Sequence, residues 1–233
     1  LEKIENEFTE QVKTAFGSNL HSAYIYGSIL TDSFNPATSD VNVLVIPYEA
    51  SPERLIVLGK YSGKLIRLLN INPTVMSHDE FIASADIFPM EYHDIKDFHK
   101  TLVGEDLTEK LVISDRNLRL QVEDRLRGCI NSLRQVLVLS ESNPRIIANG
   151  IRNTHSFYNA IFRGILRLYK HPEISYDYLK NLKAVSEYMD IEPKPFKDVM
   201  RIFKDTPVES LTEDLIIQFT TIVNKIDRLV TEK

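Results

Sequence analysis

Residues 24–47 read YIYGSILTDSFNPATSDVNVLVIP, and the rest of the chain is arranged around them. Two short apolar runs, Ala23–Tyr26 and Val41–Ile46, are rich in β-branched and aromatic residues, so each reads as a buried strand. The segment between them carries Gly27-Ser28, then Asn35-Pro36, then Ser39-Asp40, which are turn and loop residues. The first strand therefore ends in a Gly-Ser turn, and the second begins just after an aspartate. Backbone amides and a hydroxyl at the tip of such a turn suit a phosphate. A carboxylate at the mouth of the neighbouring strand suits a divalent cation bridged to that phosphate.

Gly27-Ser28, eleven intervening residues, then Asp40-Val41-Asn42 between apolar strand residues resembles the polymerase-β type of the nucleotidyltransferase superfamily. Members typically show a Gly-Ser pair followed about ten residues later by Asp-x-Asp or Asp-x-Glu, which is the local signature used here. The likeness is strong over Tyr24–Pro47, weaker over Phe88–Arg127, and architectural elsewhere. It implies transfer of a nucleoside monophosphate from an NTP to an acceptor, with Mg²⁺ or Mn²⁺ as cofactor. It also implies that Gly27 and Ser28 contact the triphosphate and that Asp40 is the first metal carboxylate. The second motif acid is replaced by Asn42, whose amide oxygen can ligate a metal but brings no charge. This substitution leaves two readings: an unusual transferase, or a catalytically silent relative that binds a nucleotide or a partner. The family's third acid lies on a later strand. Asp94 is the choice here, with Glu91 the rival on the opposite side of a strand expected over Met90–Lys96.

The 233 residues allow one large domain or two small ones, and 43% hydrophobic with 26% charged residues is an ordinary globular composition. No apolar run is long enough to cross a bilayer, and the acidic start LEKIENEFTE shows no secretory h-region. Cys129 is the only cysteine, which excludes an internal disulfide and a cysteine-rich zinc site and points to the cytoplasm. Residues 1–110 hold 9 basic and 17 acidic side chains, whereas residues 111–233 hold 19 and 16. That shift predicts a boundary near residue 112, with a nucleotidyltransferase-like domain over 1–112 and a helical bundle over 113–233.

The fold class is accordingly α+β: a small mixed sheet with helices, in the order αβ-βαβ-β, followed by an all-α bundle. A helix is expected over 2–16, and another after Ser51-Pro52 that buries Leu55, Leu58, Leu65, Leu68 and Leu69. A third strand is expected at Pro73–Ser77 and a helical turn at His78–Ala85. Prolines then separate helices near 116–142, 145–170, 175–189, 195–204 and 211–230. Within the second of these, Asn149, Arg152, Ser156, Asn159 and Arg163 share a face, and no acidic residue occurs between Glu141 and Glu173. Arg152 and Arg163 are therefore candidate contacts for the NTP phosphates, and an arginine-rich cleft argues against a cationic aminoglycoside as acceptor. In the preceding helix Glu123 is spaced to pair with Arg119 and Arg127, so that face reads as an ion-paired surface. RNA binding by the basic Arg116–Lys170 stretch is disfavoured by the overall acidity. The last helix, with Leu211, Leu215, Ile216, Phe219, Ile222, Ile226 and Leu229, reads as core or as the surface of a homodimer.

Overall fold

The computed structural model describes residues 2–36, 39–202 and 206–231. The chain divides into two compact units, Leu1–Ser114 and Asp115–Lys233. The first is built on a four-stranded sheet in the order β3-β2-β1-β4. Its strands are β1 (Leu20–Tyr26), β2 (Val41–Pro47), β3 (Ile71–Val75) and β4 (His99–Gly104). β1 runs antiparallel to both β2 and β4, while β2 and β3 are parallel, so the sheet is mixed.

Alternation along β2 decides what lies on each face. Val41, Val43 and Val45 pack with Ile25 against α1 (Thr9–Phe16) and α2 (Pro52–Leu68), whose Val12, Phe16, Leu58 and Leu65 complete one core with Phe8 from the turn before α1. Leu44 and Ile46 join Tyr24 on the other face, against α3 (His78–Ala83) and α4 (Pro89–Asp97), which contribute Phe81, Tyr92 and Ile95. Fully burying each such side chain contributes about 1.5–3 kcal/mol, which is what fixes the register.

Two expectations need correction. Met90–Lys96 is not a strand but the body of α4, because Pro89 opens a helix and Pro89, Tyr92 and Ile95 recur every third position toward the core. The apparent alternation over those seven residues was about two turns of that stripe read at the wrong period. The strand lies just beyond it, at His99–Gly104. On α2 the buried strip is narrower than expected: Leu58, Ser62 and Leu65 face inward, whereas Leu55 and Leu68 are 39% and 65% exposed.

The second unit consists of α5 (Asp115–Leu139), α6 (Pro144–Leu168), α7 (Tyr178–Met189), α8 (Lys194–Asp198) and α9 (Val208–Thr231). Its core gathers Leu118, Val122, Leu126, Ile151, Tyr158, Ile161, Leu182, Phe196, Phe219 and Ile222. The helix expected over 195–204 ends in a tighter turn at Val199–Arg201, and its last positions, 203–204, lie outside the described residues, as does the side chain of Leu229. Among the described residues no helix is long and apolar enough to cross a membrane.

Candidate functional site

The turn after β1 rests on Gly27, whose φ of 89° and ψ of −151° lie in a region closed to residues with a Cβ. Its N–H donates to the Phe98 carbonyl at 2.9 Å, so that amide is held by the start of β4 and is not offered to a ligand. Gly27 thus supplies the bend. Ser28 opens a short 3₁₀ turn to Leu30, and its carbonyl accepts from both the amide and the hydroxyl of Thr31, at 2.9 Å each. Among the described residues the Ser28 hydroxyl has no hydrogen-bond partner, and it is half-buried.

Antiparallel pairing sets Tyr26 opposite Asn42, so two residues further along β1 and two residues earlier on β2 bring Ser28 and Asp40 to the same end of the sheet. Alternation aligns Asp40 and Asn42 with Leu44, on the face covered by α3 and α4. Asp40 is exposed, and its Oδ1 accepts from Asn70 Nδ2 at 2.6 Å. Asn42 stands in register with Asn72 on β3, and its Oδ1 accepts from Asn72 Nδ2 at 3.2 Å. The carboxamide that contacts Asp40 is therefore Asn70, while Asn42 and Asn72 bond to each other across β2 and β3. Asn72 was not singled out from the sequence, because the third strand was expected to start at Pro73; β3 starts two residues earlier and brings Asn72 into the row.

Asp94 and Glu91 sit three residues apart on α4, hence on neighbouring positions of one helix side rather than on opposite sides of a strand. Both act on Tyr26: burial chiefly pushes its phenol up, against a Thr74 hydrogen bond that lowers it, and the charges of Asp94 and Glu91 add to the rise. α4 thus delivers two acids to the sheet face that bears Tyr26 and Asn42.

A pair of Mg²⁺ ions needs several carboxylates, at least one of them bridging. Among the described residues no three of His, Cys, Asp and Glu gather closely enough to hold a metal. Asp40 offers one carboxylate already bonded to Asn70, and the Asn42 oxygen is already bonded to Asn72. This donor set does not fit a two-metal centre.

In the second unit the two candidate arginines part company. Arg152 is exposed; it donates to Asn149 Oδ1 at 3.1 Å and borders a cavity of about 340 Å³ with Arg145, Asn149 and Thr206. Arg163 is only 5% exposed and lies over the Tyr176 ring at 4.2 Å. Asn159, one turn before it, donates to the Tyr176 carbonyl and accepts from Asn181. The lower half of the expected stripe therefore fastens the loop before α7. On α5, Glu123 pairs with Arg119 at 2.8 Å and Arg127 at 2.7 Å, and Arg127 also reaches Asp227. Cys129 is buried, and burial pushes its thiol up to about 11, so it is not a nucleophile at neutral pH.

No family model matches the sequence, and no curated protein matches it. Among solved structures, the fold is similar to that of the spectinomycin adenyltransferase AAD(9) from Enterococcus faecialis, determined with ATP and spectinomycin. The two share 14% identity with a TM-score of 0.59, over 93% of this chain and 98% of that one.

Proposed function

We propose that this chain, which has the nucleotidyltransferase fold, binds a nucleoside triphosphate at the Ser28 turn and Asp40 without carrying out two-metal nucleotidyl transfer. The observation that carries this reading is that, among the described residues, no three of His, Cys, Asp and Glu gather to hold a metal, while Asp40 bonds to Asn70 and Asn42 bonds to Asn72. An in-line attack on the α-phosphorus builds charge on the phosphoryl oxygens, and metal ions held by carboxylates are what neutralise it. Neutral amides can orient a ligand by hydrogen bonds, but they do not concentrate divalent cations.

ATP is the first nucleotide to test, since the structure of similar fold was determined with it. ATP is expected to raise the melting temperature, while pyrophosphate release stays at the no-protein rate with Mg²⁺ or Mn²⁺. Sustained pyrophosphate release would reject this reading in favour of transfer.

Transfer is the second reading, and the retained Gly27 bend with Ser28 and Asp40 at one end of the sheet favours it. Its acceptor would be a small molecule. Because Arg163 is withdrawn beneath Tyr176, the arginine face no longer weighs against a cationic acceptor, so the pyrophosphate assay should include spectinomycin.

A further inference from the structure

The end of the sheet away from Ser28 gathers three polar rings. His21 stands near the start of β1, Tyr48 follows the last residue of β2, and His78 opens α3 just beyond β3. The His21 ring lies 5.0 Å from that of His78 and 5.1 Å from that of Tyr48, centroid to centroid. Each histidine is tied through Nδ1. Ser22 Oγ donates its proton to the Glu105 carbonyl at 2.6 Å, so it accepts from His21 Nδ1 at 2.7 Å. Asp79 Oδ1 lies 3.0 Å from His78 Nδ1, and a carboxylate only accepts. Both rings therefore carry the proton on Nδ1 and a lone pair on Nε2, and neither Nε2 has a hydrogen-bond partner among the described residues. The backbone beneath His78 is held by the Ser77–Glu80 capping box, and β1 holds that beneath His21.

We propose that His21 and His78 form a two-histidine site for a transition-metal dication of the Zn²⁺ class, separate from the Ser28–Asp40 site. A histidine that ligates a metal through one nitrogen donates its other N–H to an oxygen, which fixes the tautomer and the ring; Ser22 and Asp79 do this here. Two imidazoles that share a tetrahedral Zn²⁺ through bonds of about 2.0–2.1 Å have centroids roughly 5 Å apart, and this pair stands at 5.0 Å. The charges around the pair favour a cation. Asp79 and Glu105 are negative, and the one ammonium, Lys110, is bonded to Glu105 at 2.6 Å. Imidazole nitrogen selects Zn²⁺, Cu²⁺ or Ni²⁺ over Mg²⁺, Ca²⁺ and Mn²⁺, which prefer oxygen. Among the described residues no third His, Cys, Asp or Glu completes the set, so solvent fills the remaining positions and the site is an open one. A bound ion ties β1 to the segment between β3 and α3, and so stabilises the sheet unit by mass action.

The experiment titrates the chelator-treated full chain with Zn²⁺ at pH 7.5 in the presence of excess Mg²⁺, against a chromogenic chelator. The wild type is compared with His21→Gln, His78→Gln and, as a control elsewhere on the surface, His171→Gln. Each of the first two is expected to weaken the tightest Zn²⁺ site by roughly tenfold or more, while His171→Gln matches the wild type. Zn²⁺ is also expected to raise the melting temperature of the wild type and of His171→Gln, and to leave that of the other two unchanged. Imidazole ¹⁵N spectra of the wild type alone supply a readout that no variant's folding can disturb. One equivalent of Zn²⁺ is expected to shift Nε2 of His21 and of His78 together, with both protons kept on Nδ1. Equal Zn²⁺ affinity in all four proteins, no Zn²⁺ binding by the wild type, or a shift of only one of the two rings would each overturn the proposal. None of these results bears on nucleotide binding at Ser28 and Asp40, which lie at the other end of the sheet.

Discussion

At Asn72 a single amide closes the row that Asp40 begins. It pairs in register with Asn42 and donates to it, so each occupies the other's most useful position for holding a cation. Changing both to aspartate puts two carboxylates on adjacent strands beside Asp40. The Asn42→Asp, Asn72→Asp double variant is expected to bind Mn²⁺ more tightly than the wild type, with each single variant in between. Electron spin resonance of free Mn²⁺ measures this, and equal free Mn²⁺ in all four proteins would mean that the two side chains do not share a ligand. At Gly104 the constraint is steric. Its φ is +76°, and a Cβ there would lie 1.9 Å from the His21 carbonyl oxygen, across the β1–β4 pairing. Gly104→Ala is expected to cost at least about 2 kcal/mol by urea unfolding, since backbone strain and a backbone clash add. A loss below half of that would show that the edge strand can shift.

Among the elements, α3 and α4 illustrate what was legible and what was not. The start of α3 is written locally: Ser77 Oγ accepts from the Glu80 amide at 3.3 Å, and the Glu80 carboxylate accepts from the Ser77 amide at 2.7 Å. Removing this reciprocal cap by Ser77→Ala should lower stability by about 1 kcal/mol, read as a shift of the urea midpoint with an unchanged slope. The type of α4 was misread because seven residues carry too few periods to separate a strand from a helix, and Tyr92 serves either pattern. What decides is Tyr92 meeting Phe81: the rings stack at 5.0 Å, and the Tyr92 hydroxyl donates to the Phe81 carbonyl at 2.6 Å. Likewise β4 carries only a brief apolar run, and its strand character comes from pairing with β1, a partner more than seventy residues away in sequence.

For the molecule as a whole, each unit has a core of its own, and the change from mixed to helical structure falls at 114/115. Residues 115–231 expressed alone are expected to give a helical circular-dichroism spectrum and a cooperative melt; a featureless melt would show that the bundle needs the sheet unit. Stability should also depend on pH through His21, which meets His78 and Tyr48 with ring centroids 5.0 and 5.1 Å away. Burial chiefly, then the His78 charge and, more weakly, Lys110, lower its affinity for a proton, while Glu105 opposes them. The unfolded chain then takes up a proton before the folded one does. Stability contributed here is complete above about pH 6.5, falls as pH drops below that, and levels once folded His21 also protonates. His21→Gln is expected to flatten the melting temperature between pH 7 and pH 5 relative to wild type, and an unchanged slope would assign the effect elsewhere.

The sequence by itself determined the Gly-Ser bend, the two strands around it, the position of Asp40 after the loop, and the helical character of the second half. These are local matters of period, turn chemistry and proline, and they resolve within a dozen residues. Only the tertiary structure decided that Asn72 rather than an acid faces Asn42, that Asp94 comes from a helix, that Arg163 is buried, and that His21 meets His78. Strand register and helix docking choose these neighbours, and both depend on burying apolar faces contributed by residues far apart along the chain.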